Sequence, residues 1–344
     1  MEKKSVYGMT EGSPAKLLLS FTIPMLIGNL FQQFYNMVDS IVVGRFVGAN
    51  ALAAVGATGS LNFLFFSMSF GVSAGVGVVL SQYFGADKSD MVGRSFANGM
   101  YLLTLVSAIM SIVGIVSARA VLMLLNTPES ILDDAVLYMR VSCAGILAIA
   151  AYNGVAAVLR ALGDSRTPLY FMVVSCIINI ALDLVFVIVC QWSVFGVALA
   201  TVIAQLVAAI GAFIYAFCKI PILRVNKECR RVKPDIMEKC FRLGFPIALQ
   251  NSLIAFSCIF LQRVVNGFGE DVVAANTALS RIEQLVQQPY NSLGAALTTF
   301  TGQNIGAGKF ERIKSGFHAG IRLVWTLCIP FCIAYILFGK YLLL

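Results

Sequence analysis

Long apolar stretches alternate with short polar connections along this chain. An α-helix needs about 20 apolar residues to cross the hydrocarbon core of a bilayer, and each stretch reaches that length. The pattern predicts nine membrane-spanning helices, at residues 17–43, 52–82, 93–118, 134–159, 168–189, 195–217, 240–266, 273–303 and 314–338. A membrane β-barrel would need short alternating strands instead. We therefore predict an all-α integral membrane protein.

The first predicted helix carries a polar stripe on an otherwise apolar surface. The stripe consists of Asn29, Gln32, Gln33, Asn36, Asp39 and Ser40. At about 100° per residue, these side chains fall within a sector of roughly 120°. Lipid cannot satisfy polar groups, so we expect the stripe to face water or a substrate. Asp39 is its ionisable member, and an ionisable residue within a membrane helix indicates a functional site.

Composition and charge support the membrane assignment. Hydrophobic residues make up 59% of the chain and charged residues 12%, whereas soluble domains carry about 25% charged residues. Of the 25 Lys and Arg residues, 18 fall in segments on one side of the predicted membrane. The positive-inside rule makes this side, which includes the N-terminus, cytoplasmic. The net charge of +8 therefore reflects topology. We expect a multi-pass protein of a prokaryotic cytoplasmic membrane, with membrane lipid around it and no nucleic-acid partner.

The residues that catalysis usually requires are scarce. The chain has one histidine, His318, and its nine cysteines include no CxxC pair. We find no pairing of a nucleophile with a base and no metal-ligand constellation. The sequence therefore predicts neither an enzyme nor a cofactor.

The second part of the sequence repeats the first. Pro24 returns as Pro246 at a shift of 222, and the run Gln82–Lys88 returns as Gln303–Lys309 at a shift of 221. A repeat spaced by six helices keeps its orientation, so the repeats are expected to be related by an axis along the membrane normal. Transporters are often built in this way.

The repeat also predicts a domain organisation. An N-lobe at 1–218 would hold helices 1–6, a cytoplasmic linker would follow at 219–239, and a partial C-lobe at 240–344 would hold helices 7–9. A complete second lobe would need about another hundred residues, judged from the repeat spacing. We expect a chain that lacks helices 10–12. The alternative is a genuine nine-helix protein.

Two further predicted helices carry polar residues at the depth of Asp39. Asn179 and Asp183 are four residues apart and share a helix face. Helical rise places Asp183 about 22 Å and Thr201 about 21 Å from the inner end of the hydrocarbon core. Two carboxylates, an amide and a hydroxyl at one level could coordinate Na⁺ or hold a proton. The alternative is hydrogen bonding that only fixes the bundle.

A second polar group is expected in the eighth predicted helix. Arg281, Glu283 and Gln284 lie some 12–20 Å inside the membrane, too deep for easy contact with water at its surface. Together with Asn29, Gln33 and Asn36 of the first helix, they are predicted to line a substrate cavity. A structural ion pair or bundle contact is the alternative for the eighth-helix group.

Several motifs together resemble the multidrug and toxic compound extrusion (MATE) family of secondary transporters. They are Pro24 with MVDSIVVGRFVG, SQYFGADK with its echo GQNIGAGK, RALGDSRTP at 160–168, and the set Asn179, Asp183 and Thr201. The resemblance implies a fold of two six-helix lobes, in which this chain has about nine helices. It also implies export of drug-like, amphipathic and often cationic compounds in exchange for H⁺ or Na⁺, by a protein expected to be a monomer.

The resemblance assigns roles to particular residues. It implies that Asp39, Asn179, Asp183 and Thr201 form the N-lobe cation site and that Pro24 lets the first helix bend. Leu261 or a neighbouring residue stands in the repeat where Asp39 stands in the first lobe, and the seventh predicted helix holds no acid. This favours ion coupling in the N-lobe. A lipid-linked oligosaccharide flippase of the same superfamily is the alternative function, and a channel or an intramembrane enzyme is disfavoured.

Overall fold

The described residues form ten α-helices and no strand. The computed structural model describes residues 8–224, 229–268 and 270–342, without the side chains of 266, 270–271, 273–274, 277–278, 281–282, 331–332 and 334–342. The helices are α1 (Pro14–Val42), α2 (Ala49–Gly85), α3 (Ser89–Leu124), α4 (Glu129–Ala144), α5 (Ile146–Ala161), α6 (Arg166–Leu184), α7 (Ser193–Lys219), α8 (Pro234–Asn266), α9 (Glu270–Gly306) and α10 (Phe310–Leu342). The all-α fold class is confirmed.

The fourth helix was predicted as one continuous span, but the structure has two helices there. α4 and α5 meet at Gly145 with a bend of 42°. A Cβ at Gly145 would collide with the side chain of Val202, so α7 approaches the chain most closely where no side chain intervenes. Glycine also has a low helix propensity, which makes this position the natural place for the break.

Six helices of the described part are long and apolar enough to cross a membrane, and the bent pair α4–α5 counts as a seventh. They are α1 and α6, each with the π-helical turn that follows it, and α2, α3, α7 and α8. The turns are Val43–Val47 after α1 and Val185–Val189 after α6. Most of the predicted spans therefore meet this test of length and hydropathy.

The first half, α1 to α7, has a core between α2, α3 and α5. Val76, Phe96 and Leu159 are buried there, and Ile236 and Cys240 of α8 are buried in the same cluster. The start of α8 therefore belongs to the packing of the first half. α8 continues along α2, where a Cβ on Gly71 would come within 2.5 Å of the Ala248 Cβ. Small residues let two membrane helices approach this closely.

The described part of the predicted linker is docked on the first half. Asn98 of α3 is buried, and its side-chain amide donates to the Arg231 carbonyl oxygen at 3.2 Å. Its Oδ1 accepts from the Lys233 backbone N–H at 2.7 Å. Leu223, in the 3-10 turn Pro221–Leu223, is fully buried. The division into lobes at 1–218 and 240–344 stays a prediction.

α1 is divided between the two halves of the molecule. Leu18 and Phe21, before Pro24, pack with Leu293 and Phe300 of α9. Beyond Pro24, Tyr35 packs in a cluster that includes residues of α5, α6 and α7. The helix thus begins against the second half, α8 to α10, and ends inside the first.

α2 and α9 cross at one end of the molecule, which we call the closed end. A Cβ on Gly85 would collide with the Gln303 carbonyl oxygen, and a Cβ on Gly306 would collide with the Gln82 carbonyl oxygen. The two glycines stand at equivalent places in the sequence repeat, so the contact is reciprocal. Backbone touches backbone here, and the halves cannot move apart at this end without losing the contact.

Candidate ion site and cavity

The structure brings together the four residues predicted to hold an ion. Asp39 of α1 lies within hydrogen-bonding reach of Asp183 on α6 and of Thr201 on α7. Asn179 is one turn from Asp183 on α6, and its side-chain amide donates to Thr201 Oγ1 at 3.3 Å. Asn179 and Asp183 are buried, and Asp39 is partly buried. Their role in holding an ion stays a prediction.

The oxygens of this group lack donors. Within the described residues, no hydrogen-bond donor meets Asp39 Oδ1, Asn179 Oδ1 or either carboxyl oxygen of Asp183. Two ionised carboxylates cannot donate to each other, so their closeness does not satisfy them. Buried oxygens of this kind carry a cost of about 1–3 kcal/mol each unless a partner is supplied. A proton or a cation between the acids would supply it.

Local backbone geometry places both acids beside irregular turns. α1 passes into its π-helical turn four residues after Asp39, and α6 does so two residues after Asp183. π-helical turns occur often at functional sites, because they re-aim side chains within a helix. Val43, Val187 and Val197 pack together around these turns. Each of these valines is one helical turn from a residue of the polar group, so the apolar cluster borders that group.

Three residues that sequence reasoning missed border the same group. Tyr35 is buried and lies close to Asp39, Gln32 and Gln205. Tyr138 of α4 interacts electrostatically with Asp39 and Asp183. Spacing could have found two of them, since Tyr35 is one turn from Asp39 and Gln205 one turn from Thr201. No spacing connects Tyr138 with the site, because it comes from a different helix.

The three α1 residues predicted to line the cavity differ in exposure and in hydrogen bonding. The Asn29 side-chain amide donates to Ser292 Oγ of α9 at 3.1 Å, so this residue bridges the halves. Gln33 is partly buried, and Asn36 is exposed. These residues line the face of α1 between the Asn29 bridge and Asp39. Asn29 therefore joins α1 to α9, and the predicted cavity role of these residues stays a prediction.

The α9 residues of the predicted cavity are open to the surroundings. Glu283 and Gln284 are exposed, and Glu283 Oε1 accepts from the Gln287 side-chain amide at 3.0 Å. The Arg281 side chain lies outside the described part of the structure. α9 thus exposes an acid and an amide at these positions, and the predicted cavity roles of Glu283, Gln284 and Arg281 stay predictions.

Pro24 is buried within α1 at the point where the helix changes partners. Proline has no backbone N–H, so the carbonyl of Ser20 has no partner in the helical ladder. Pro246 occupies the repeat-related place within α8. The geometry is that of a potential hinge, and bending at Pro24 stays a prediction.

Comparison with known proteins identifies relatives along nearly the whole chain. The MatE family model matches residues 24–185 and again 246–344, so its two matches begin at the repeat-related prolines. The probable multidrug resistance protein YpnP of Bacillus subtilis is 31% identical over 339 residues, which are 98% of this chain and 75% of that protein. The FAD transporter of Shewanella oneidensis is 24% identical over 93% of this chain and 72% of its own.

Solved structures show the same fold. A MOP superfamily transporter from Pyrococcus furiosus superposes with a TM-score of 0.91 at 23% identity, over 99% of this chain and 76% of its own. An outward-facing multidrug resistance MATE family transporter gives the same TM-score, identity and coverage. This chain therefore spans about three quarters of these relatives. On the family model's two matches, which cover most of the sequence, the chain belongs to the MATE family of membrane transporters.

Proposed function

We propose that this protein exports drug-like, amphipathic and often cationic compounds in exchange for H⁺ or Na⁺. Asp39, Asn179, Asp183 and Thr201 hold the coupling ion. One observation carries the proposal: two carboxyl groups face each other inside a membrane protein, with buried oxygens that no donor satisfies in the described part. Relatives named as multidrug resistance proteins support the direction and the class of cargo.

The chemistry of the group suits both proposed ions. Oxygen ligands from carboxylates, an amide and a hydroxyl suit a hard cation such as Na⁺. Two carboxylates at short range in a medium of low dielectric constant repel each other strongly, and a shared proton also removes that repulsion. A single bound ion would give the unsatisfied oxygens of this group a partner.

α1 connects the ion to the cargo. Its polar stripe carries Asp39 at one end and the Asn29 bridge to Ser292 nearer the other, with Gln33 and Asn36 between them. An ion drives transport only if it binds one state of the protein better than another. We expect ion binding at Asp39 to change the packing of α1 beyond Pro24, which alters the cavity wall and expels the cargo.

The exposed acid on the opposite wall favours cationic cargo. Glu283 of α9 is exposed, and its described polar neighbours on that helix are the amides Gln284 and Gln287. A flippase for a lipid-linked oligosaccharide, whose diphosphate is anionic, would be expected to present more cations, and Arg281 is the one cation in the sequence of α9. Drug susceptibility of an efflux-deficient host separates the two functions, because only an exporter raises the tolerated concentration of cationic dyes.

The distribution of basic residues supports a cytoplasmic closed end. Lys88 follows α2, Arg224 follows α7 and Lys309 follows α9, and Met9, before α1, also lies at this end. The positive-inside rule then places the N-terminus in the cytoplasm. We propose a multi-pass monomer in the cytoplasmic membrane of a prokaryote.

Ion-dependent stabilisation of the purified protein tests the site without requiring transport. A ligand that binds only the folded state at 100 times its Kd stabilises it by about 2.7 kcal/mol. We expect the thermal unfolding midpoint to rise with Na⁺ at constant ionic strength, or with protons if the coupling ion is H⁺. Asp39→Asn and Asp183→Asn should each abolish that response while leaving membrane insertion intact.

Asp133→Asn is the matched control, because this acid is exposed and pairs only at the surface with Arg119 at 3.3 Å. Its response to Na⁺ and to pH should equal that of the wild type. The proposal fails if both site variants keep the wild-type response. It also fails if Na⁺ stabilises the wild type no more than K⁺ does and protons stabilise it no more than they stabilise the variants.

A further inference from the structure

Met9 and Thr10, shortly before α1, are bound between the two halves at the closed end. Met9 is only 3% exposed and is buried in the cluster that contains Leu18 of α1 and Phe300 of α9. Thr10 follows it, before the chain turns into α1 at Pro14. This segment is therefore part of the packed structure rather than a free tail.

One side chain of α9 joins this segment to both halves. Gln303 is fully buried, and its Oε1 accepts from the Met9 backbone N–H at 2.7 Å. Its side-chain amide nitrogen donates to the Ala161 carbonyl oxygen, at the end of α5, at 2.9 Å. The bond from Met9 fixes the oxygen of the amide, and so directs its nitrogen toward Ala161. Three separate parts of the chain meet at this one amide.

Other side chains of the second half bind the backbone of the same segment. The Met9 carbonyl oxygen accepts from the Asn304 amide at 3.2 Å and from Arg312 Nη2 at 3.3 Å. The Thr10 carbonyl oxygen accepts from Lys309 Nζ at 3.0 Å. Buried polar groups that are satisfied in this way form a rigid network, and losing one partner leaves the others unpaired. Side chains of the second half thus hold Met9 and Thr10 in place through hydrogen bonds to their backbone.

We propose that Met9 and Thr10 form a strap that latches the closed end through Gln303. For cargo to enter from this end, the halves must part there. That separation must break the bond from Gln303 to Ala161 and the glycine crossing of Gly85 and Gly306. The strap holds Gln303 in the orientation that makes the bond, so it sets how often this end opens. This inference requires neither a particular ion nor a particular cargo.

Cysteine labelling measures how often the closed end opens. Thr299 is buried on the side of α9 that also carries Ala296 and Gln303, so Thr299→Cys is a nearly isosteric reporter. We would place it in a background in which the native cysteines are replaced, and follow its reaction with a membrane-impermeant maleimide in inside-out vesicles. Gln303→Leu should raise the labelling rate about tenfold or more, since a buried two-bond contact is lost.

The control and a second variant make the result decisive. Gln288→Leu is the same substitution on the same helix, but the Gln288 amide bonds only to the Gln284 carbonyl oxygen, within α9, at 2.8 Å. It should leave labelling unchanged. The double variant Lys309→Met/Arg312→Met removes donors to the strap from partly exposed positions, and should raise labelling several-fold even if Gln303→Leu fails to fold. Unchanged labelling in the double variant, with normal insertion, overturns the proposal.

Discussion

Asp164 shows how a single buried acid can be fully explained by local structure. It precedes α6, and its Oδ1 accepts from the backbone N–H groups of Arg166 and Thr167, both at 3.0 Å. Its Oδ2 accepts from the Thr167 hydroxyl at 2.5 Å. Carboxylates at helix N-termini stabilise the unpaired N–H groups of the first turn. In contrast with Asp39 and Asp183, this acid needs no ion.

Asp164→Asn should therefore destabilise the protein rather than alter its ion response. An amide keeps one acceptor but loses the charge and one of the acceptor oxygens, so we expect a loss of about 1–2 kcal/mol in the free energy of unfolding. Thermal unfolding in detergent measures the loss. Glu311→Gln, at an exposed pair with Lys314, should change stability by less than about 1 kcal/mol. Equal effects of the two substitutions would contradict this assignment.

At this scale the sequence allowed part of the candidate site to be predicted. Asp39, Asn179, Asp183 and Thr201 stood out because each is a polar residue in an apolar helix, and the structure places them together. Tyr138 could not be predicted, because a tyrosine in a membrane helix is ordinary and only the packing of α4 brings it to the acids. The bond from the Asn29 amide to Ser292 could not be predicted either, because the two residues are 263 positions apart, and the cavity role of Asn29 stays a prediction.

At the scale of the helices, glycines decide how closely the halves approach. α9 offers a direct comparison, because a Cβ on Gly306 would collide with the Gln82 backbone, whereas a Cβ on Gly294 would meet no atom within 4 Å. Gly294 lies inside the helix and Gly306 is its last residue, so the gain in helix propensity on substitution by alanine is larger at Gly294. A loss of stability on substitution at Gly306 would come from the contact with the α2 backbone.

Gly306→Ala should destabilise the protein, and Gly294→Ala should not. Forcing a methyl group against a backbone costs about 1–3 kcal/mol, whereas alanine in an open helix position gains up to about 1 kcal/mol over glycine. We expect a lower thermal unfolding midpoint for the first variant and an equal or higher one for the second. A Gly306→Ala variant as stable as Gly294→Ala would show that the α2–α9 crossing is loose.

The positions of the helices could be predicted from the sequence, but their partners could not. Apolar runs fix where a helix crosses the membrane, since the bilayer sets the length of a span. They do not indicate which neighbouring helix packs against each face of a span. The division of α1, with Phe21 against the second half and Tyr35 inside the first, follows from packing that no periodicity encodes. The break at Gly145 was missed for the same reason, because it depends on Val202.

Across the whole molecule, the two halves repeat some features and not others. The glycine crossing is reciprocal, whereas an apolar residue, the exposed Leu261 or a neighbour, stands in the sequence repeat at the place of Asp39. If ion binding is confined to the first half, its effect on local stability should be confined as well. The symmetry of the repeat would then be structural, with the chemistry carried on one side.

Hydrogen–deuterium exchange can test this asymmetry. With the coupling ion, amide exchange should slow in α6 and α7 near Asp183 and Thr201, because a bound ligand raises the free energy of local opening. Exchange in α8 around Leu261 should not change. The same experiment with K⁺, or with Asp183→Asn, provides the baseline. Slowing of equal size in α8 would show that the ion is not confined to the first half.

The hydrogen bond between Met9 and Gln303 has a consequence for how the protein folds during its synthesis. The two residues are 294 positions apart in the chain, and Met9 also depends on Arg312. The start of α1 therefore cannot reach its final environment when it leaves the ribosome, and must wait until α9 and the first turn of α10 have been synthesised. Contacts between such distant residues form late in folding. Met9 and Thr10 are thus synthesised early and docked late, and their docking completes the contact between the two halves at the closed end.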